Sequence, residues 1–159
     1  MRREFFLLLY QFMEKDKSIY ALTADLGFGG FDLIKKDFPK NFINCGASEQ
    51  SMLDIACGLA MDNKIPVVYS ITPFLIFRAF ETIRTYINHE NIPVKLSGSG
   101  RDDNYIHDGF SHFAFDIKNH MDLFPNIIQY WPKTKREITK NYIKKFIYNS
   151  KPSFLSLER

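Results

Sequence analysis

Short apolar runs recur at residues 19–23, 65–71, 92–98, 126–131 and 152–157, and each is separated from the next by enough chain for a helix. Strands spaced this way cannot close into hairpins. Crossover helices carry the chain back so that each strand enters the sheet in the same direction. The pattern therefore predicts an α/β fold: a doubly wound, mainly parallel sheet with helices on both faces. No linker, internal repeat or low-complexity stretch interrupts it, so residues 1–159 are expected to form a single domain with one sheet.

The intervening segments have helical periodicity. Residues 3–15 place Phe6, Leu9, Tyr10 and Met13 on one side. Residues 72–89 place Ile76, Phe80, Ile83 and Ile87 on a core-facing stripe, with Pro73 suited to a helix start. Residues 116–123 and 134–149 read as two further helices, and the basic run from Lys133 to Lys145 as a solvated helix face. Arg2 and Arg3 ahead of an apolar stretch imitate a secretory leader. Gln11 and the charged Glu14-Lys15-Asp16-Lys17 contradict that reading, and nothing approaches the length of a membrane span. A net charge of +3 does not indicate a nucleic-acid binder. Cys45 and Cys57 follow neither metal-site nor disulfide spacing, which fits free thiols in a cytoplasmic protein.

The segment Asn44-Cys45-Gly46-Ala47-Ser48-Glu49-Gln50 lies between the apolar pair Phe42-Ile43 and a helical pattern from about Ser51. Met52, Ile55, Ala56, Leu59 and Ala60 follow at i, i+3, i+4, i+7 and i+8, one helix face. Glu49 thus stands at a strand-to-helix turn. On spacing alone, it is a carboxylate favoured by the helix dipole. Gly27-Phe28-Gly29-Gly30, after the first strand, matches no phosphate-loop fingerprint and reads alone as a flexible loop.

Taken in order, Phe42-Ile43-Asn44, Gly46-Ala47-Ser48-Glu49-Gln50 and Ala56-Cys57-Gly58-Leu59-Ala60 resemble the pyrimidine-binding domain of the transketolase and 1-deoxyxylulose-5-phosphate synthase family. Ala24-Asp25-Leu26, Thr72-Pro73-Phe74-Leu75 with Phe77, and Asp108-Gly109-Phe110-Ser111-His112 extend the resemblance over almost the whole chain. The family uses thiamine diphosphate. The resemblance implies that Glu49 presses on the cofactor's pyrimidine ring nitrogen, that Phe74, Phe77 and Phe80 line the ring, and that Asp25 belongs to the wall beside it. It also implies that Asp108 and His112 reach the substrate, and that Arg159, closing the last strand, contacts it as well. Glu49 and His112 are then the catalytic pair. A carboxyl group in a dry aromatic pocket holds its proton more tightly than one in water and makes a stronger hydrogen bond to such a ring.

Members of the family hold Mg2+ and the diphosphate with a Gly-Asp-Gly motif, absent from these residues, so a pyrimidine-binding domain with neither the diphosphate-binding domain nor the family's C-terminal domain is expected. The expectation is a split subunit active with a separate chain carrying the diphosphate-binding domain. The assembly would be a hetero-oligomer with two of each chain, or one built on a homodimer core. His112 and Asp108 favour transfer of a ketol or acyl unit to or from a sugar-like substrate. Phe110 in place of a proline, Gly98-Ser99-Gly100 in place of a histidine, and Gly29 in place of a serine argue against a phosphorylated pentose. The alternatives are half of a split 2-oxoacid decarboxylase and a non-catalytic interaction protein of the same fold. His89, His107 and His120 read as surface or structural residues.

Overall fold

The computed structural model describes residues 1–159. Its strands are β1 (Ile19–Thr23), β2 (Phe42–Asn44), β3 (Ile65–Ile71), β4 (Lys95–Ser99), β5 (Ile128–Tyr130) and β6 (Ser153–Leu157). They form one sheet in the order β2-β1-β3-β4-β6-β5, and every neighbouring pair is parallel. The helices are α1 (Arg2–Lys15), α2 (Asp32–Asp37), α3 (Glu49–Met61), α4 (Thr72–Phe77), α5 (Phe80–Thr82), α6 (Ile117–Met121) and α7 (Lys140–Tyr148), with a π-helix at Ile83–His89 continuing α5.

Each sheet face has its own core. Leu22, Val68, Leu96 and Phe154 point toward α3, α4, the π-helix and α6, joining Met52, Leu53, Ile76 and Ile83. Ala21, Val67, Tyr69 and Leu155 point the other way, toward Phe5, Leu9 and Met13 of α1 and Phe146 of α7. Successive strand residues face opposite sides, so a strand buried on both faces is apolar throughout. That is why residues 65–71 are legible as a strand without alternation.

The sequence pattern and the structure differ locally. Helix α3 begins at Glu49, and its buried stripe is Met52, Leu53, Ala56, Cys57 and Ala60. Ile55, expected inside, is 41% exposed. The expected helix over 72–89 is broken at Arg78 and Ala79, and Phe80 is only partly buried. The expected helix over 134–149 is a 3-10 turn at Lys135–Glu137, closed by a Thr134/Glu137 capping box, followed by α7 under its Thr139 cap. The strand expected at 92–98 is β4, shifted beyond Pro93, and the one expected at 126–131 shortens to β5. Cys45 and Cys57 are free, and burial pushes both thiols up, Cys57 to about 12. No helix is long and apolar enough to cross a membrane.

From β1 the chain passes to β2 on one side, then returns to place β3 on the other. Such a reversal opens a crevice at the carboxyl ends of the strands, where ligands bind in open α/β sheets.

Candidate active site

Glu49 lies in the first turn of α3, just beyond the carboxyl end of β2, and is 1% exposed. Both carboxylate oxygens are engaged. Ser70 Oγ, on the α3 side of β3, donates to Oε1 at 2.8 Å. An Arg78 guanidinium nitrogen donates to Oε2 at 2.8 Å and forms an ion pair. The sequence suggests a dry aromatic setting for this carboxylate. The structure buries it but supplies a cation, from a side chain that is itself 48% exposed.

Phe74 is half-buried, with the Arg78 guanidinium carbon 3.9 Å from its ring centroid. Its other neighbour is His112, at a centroid separation of 4.7 Å and in an edge-on arrangement. Glu49, Arg78, Phe74 and His112 therefore form one continuous chain of contacts. Phe77 and Phe80 turn elsewhere. Phe77 is 41% exposed and sets its ring edge-on to His120 at 4.9 Å, while Phe80 packs on Phe124. His120, read from sequence as ordinary, is thus the partner of one proposed ring-lining residue.

Asp25 is exposed at the end of β1 in a left-handed backbone conformation, φ 56°. Its N–H donates to Asn44 Oδ1 at 2.9 Å, and Asn44 Nδ2 donates back to Asp25 Oδ1 at 3.2 Å. Gly46 N–H shares the same Asn44 oxygen. This clamp ties the loop after β1 to the turn that leads into Glu49. It places Asp25 on the crevice rim.

The loop after β4 carries Asp108 and His112 on two 3-10 turns, 106–108 and 110–112. Asp108 is exposed; His112 is half-buried, with Nδ1 3.1 Å from Ser111 Oγ. Arg101 anchors the base of the loop through Ser156, donating to its Oγ at 3.0 Å and its carbonyl at 2.8 Å. Gly98, in the segment that stands where the resembled family carries a histidine, has no room for a side chain. A Cβ there would come within 2.7 Å of Thr72 Oγ1 and 3.1 Å of the Phe154 ring. Thr72 must approach this closely because its hydroxyl donates to the Gly100 carbonyl at 2.7 Å.

Arg159 is exposed, and its guanidinium carbon lies 5.2 Å from the Tyr105 ring centroid. His112 flanks the same ring at 6.3 Å. Arg159 also lines a cavity of about 670 Å³, together with Arg2, Arg3, Lys135, Phe28 and Gly29. This cavity lies on the α1 and α2 side of the sheet, away from Glu49. The buried Arg2 Nε has no hydrogen-bond partner. Sequence reasoning missed Arg2, Arg3 and Lys135 as a group. The paired arginines at the head of α1 are the available signal, but next to an apolar stretch they imitate a leader instead.

The whole chain, residues 1–159, matches the family described as "Transketolase, pyrimidine binding domain". The chain belongs to that family. Within it, this pyrimidine-binding domain is 30% identical over 160 residues to a putative transketolase C-terminal section from Methanocaldococcus jannaschii, covering all of this chain and 50% of that one. It is 34% identical over 102 residues to one of the subunits of an apulose-4-phosphate transketolase from Actinobacillus succinogenes, covering 64% of this chain and 33% of that one. Among solved structures, a split-gene transketolase described as an inactive beta4 tetramer superimposes with a TM-score of 0.85 at 28% identity, covering 99% of this domain and 51% of that chain. The domain thus spans about half or less of the length of these relatives. The six-stranded parallel sheet and its helices are the fold of this thiamine-diphosphate-dependent family.

Proposed function

We propose that this domain is the pyrimidine-binding part of a split transketolase-type transferase, moving a ketol or acyl unit to or from a sugar-like substrate. The observation that carries this reading is Glu49. It is a carboxylate 1% exposed at the mouth of the switch-point crevice, reached through Arg78 from an aromatic face that also touches His112. A buried acceptor beside a flat apolar surface fits an aminopyrimidine ring. No group of three or more His, Cys, Asp or Glu side chains converges in a way that could hold a metal ion. In this reading Mg2+ and the diphosphate belong to a separate chain, as the section and subunit names of the relatives suggest.

When bound, thiamine diphosphate supplies a nucleophilic carbon that carries the transferred unit. Glu49 would exchange a proton with the pyrimidine ring nitrogen through a hydrogen bond, and the Ser70 hydroxyl, donating to Oε1, fixes the carboxylate so that it cannot rotate away. Phe74 presents its ring face to the pyrimidine and excludes water. Phe77 and Phe80 pack on His120 and Phe124 instead, so the ring-facing role falls to Phe74. Asp25 closes the crevice beside β1. Asp108 and His112 bind substrate hydroxyls, with His112 Nε2 moving a proton at the reacting carbonyl oxygen. Arg159, beside the Tyr105 ring that His112 also flanks, favours a substrate that carries an anionic group at its far end. This arginine reopens the phosphorylated or otherwise anionic sugar that Phe110, Gly98-Ser99-Gly100 and Gly29 had argued against.

The test is reconstitution. The chain alone with thiamine diphosphate and Mg2+ gives negligible turnover. Adding a companion chain that carries Gly-Asp-Gly restores consumption of a ketose phosphate. Robust activity without a companion rejects the split arrangement, and turnover of pyruvate in place of ketoses selects the decarboxylase reading. The Arg78–Glu49 ion pair favours a second reading, a non-catalytic subunit whose acid serves only as a structural anchor. Full activity of Glu49→Gln in the reconstituted complex would establish it.

A further inference from the structure

Arg78 makes two contacts at once. Its N–H edge meets a Glu49 oxygen at 2.8 Å, and its flat face lies over Phe74 with the guanidinium carbon 3.9 Å from the ring centroid. A protonated aminopyrimidine is also a flat cation with an N–H edge and a π face. It would seek the same carboxylate and the same ring. Taking the proposed function as given, we propose that Arg78 is a resident counter-ion that the cofactor's pyrimidine ring must displace.

The energetics favour exchange over permanence. Glu49 is buried, so leaving its carboxylate without a partner is strongly unfavourable. Arg78 is half-exposed, and once released its guanidinium recovers full hydration. Neutral Ser70 holds only Oε1, so it cannot replace the lost positive charge. Arg78 therefore leaves only when another cationic N–H donor arrives, and a neutral ring of similar size makes a poor replacement. The backbone permits the movement. Arg78 caps the end of α4, and Ala79 leaves helical geometry at φ −119° and ψ 28°. The side chain can swing outward without unwinding a helical turn.

Displacement makes the sign of one measurement decisive. A site occupied by its own side chain binds more weakly by the fraction of time it is free. Removing the competitor then tightens binding. A permanent positioning residue, holding Oε2 while the ring takes another lone pair, does the opposite. The experiment is calorimetric titration of thiamine diphosphate with Mg2+ into the complex reconstituted with its companion, comparing wild type with Arg78→Met and Arg78→Gln. Methionine keeps a soft, polarisable cover on Phe74 while losing the charge. Displacement predicts affinity tighter by about tenfold for both variants, with Arg78→Lys close to wild type. Unchanged or weaker binding in folded variants overturns the inference and leaves the proposed function standing. If wild type takes up no thiamine diphosphate even with a companion, both fall. Should the variants fail to fold, 15N-labelled arginine in the wild-type complex gives the answer instead. Under displacement the protected Arg78 side-chain N–H signal is lost when thiamine diphosphate is added, and an unaltered signal overturns the inference.

Discussion

The molecule buries two charged side chains, one at each end of the parallel strands, and satisfies them in opposite ways. Lys95, at the amino end of β4, is 2% exposed. Its ammonium donates to the Asn149 carbonyl at 2.8 Å, the Lys151 carbonyl at 2.6 Å and Asn149 Oδ1 at 3.3 Å. These acceptors follow directly after α7, so the charge also meets the negative end of that helix. Two backbone carbonyls hold it, with one side-chain amide that is itself tied to Ser153 and to the Lys151 N–H. Glu49, at the carboxyl end of the neighbouring strands, is buried to the same degree but rests on one hydroxyl and one half-exposed side chain. Lys95 is held as a structural charge is held. Glu49 is held by a partner that can leave. Burial alone does not distinguish a working acid from a structural ion; the replaceability of its partners does.

The sharpest way to break this contrast is Glu49→Gln. In the reconstituted complex it should lower kcat by about a hundredfold or more, the scale of a lost general acid–base group. Unfolding midpoints should move little, because the amide still accepts from Ser70. If activity survives and stability collapses, Glu49 is a second Lys95. The converse variant, Lys95→Met, strands two backbone carbonyls and should cost about 2 kcal/mol of stability. That is a fall of roughly 4–8 °C in melting temperature for a chain of this size, with activity per folded molecule unchanged. Ser70→Ala probes the fixed half of the Glu49 support. It should cost about 1 kcal/mol in urea denaturation, and its larger signature should be a weaker kcat, as the carboxylate loses its orientation.

The sequence carried one side of this contrast better than the other. The strands at 19–23 and 65–71 were legible to the residue because both are short apolar runs with polar or turn residues at each end. Glu49 was legible because its turn, helix and family resemblance coincide within a few residues. Arg78 was not, although it stands inside the segment that named Phe74. An arginine on a helix reads as a solvated charge until the fold brings position 78 against position 49, and nothing in the local pattern encodes that meeting. The same holds for Arg2, Arg3, Lys135 and Arg159, which come from α1, the turn before α7 and the end of β6. The break in the helix at 78–79 was hidden for a related reason. Ile76, Ile83 and Ile87 keep apolar periodicity across it, and all three are fully buried. A π-helix absorbs the extra residue without changing which side chains face the core.

The smallest effect tests the Lys95 side through pH. Burial pushes the Lys95 ammonium down from 10.5 to about 8. Below about 8 both folded and unfolded chains carry the proton, and the folded state bears the full cost of burying it. Between about 8 and 10.5 the folded chain has released a proton that the unfolded chain keeps. The unfolded state then binds more protons, so this residue's contribution to stability rises with pH through that window and is complete above it. The neutral amine still donates to the Asn149 and Lys151 carbonyls, so deprotonation relieves the charge without abandoning the contacts. Urea midpoints at about pH 7.5 and about pH 10, for wild type and Lys95→Met, isolate this residue from the other lysines and tyrosines that titrate nearby. The stability gap between the two proteins should widen in favour of wild type at the higher pH. A gap that narrows would mean that the three oxygens outweigh burial and hold the ammonium more tightly than the unfolded chain does. The buried cation would then be a stabilising ion in its own right.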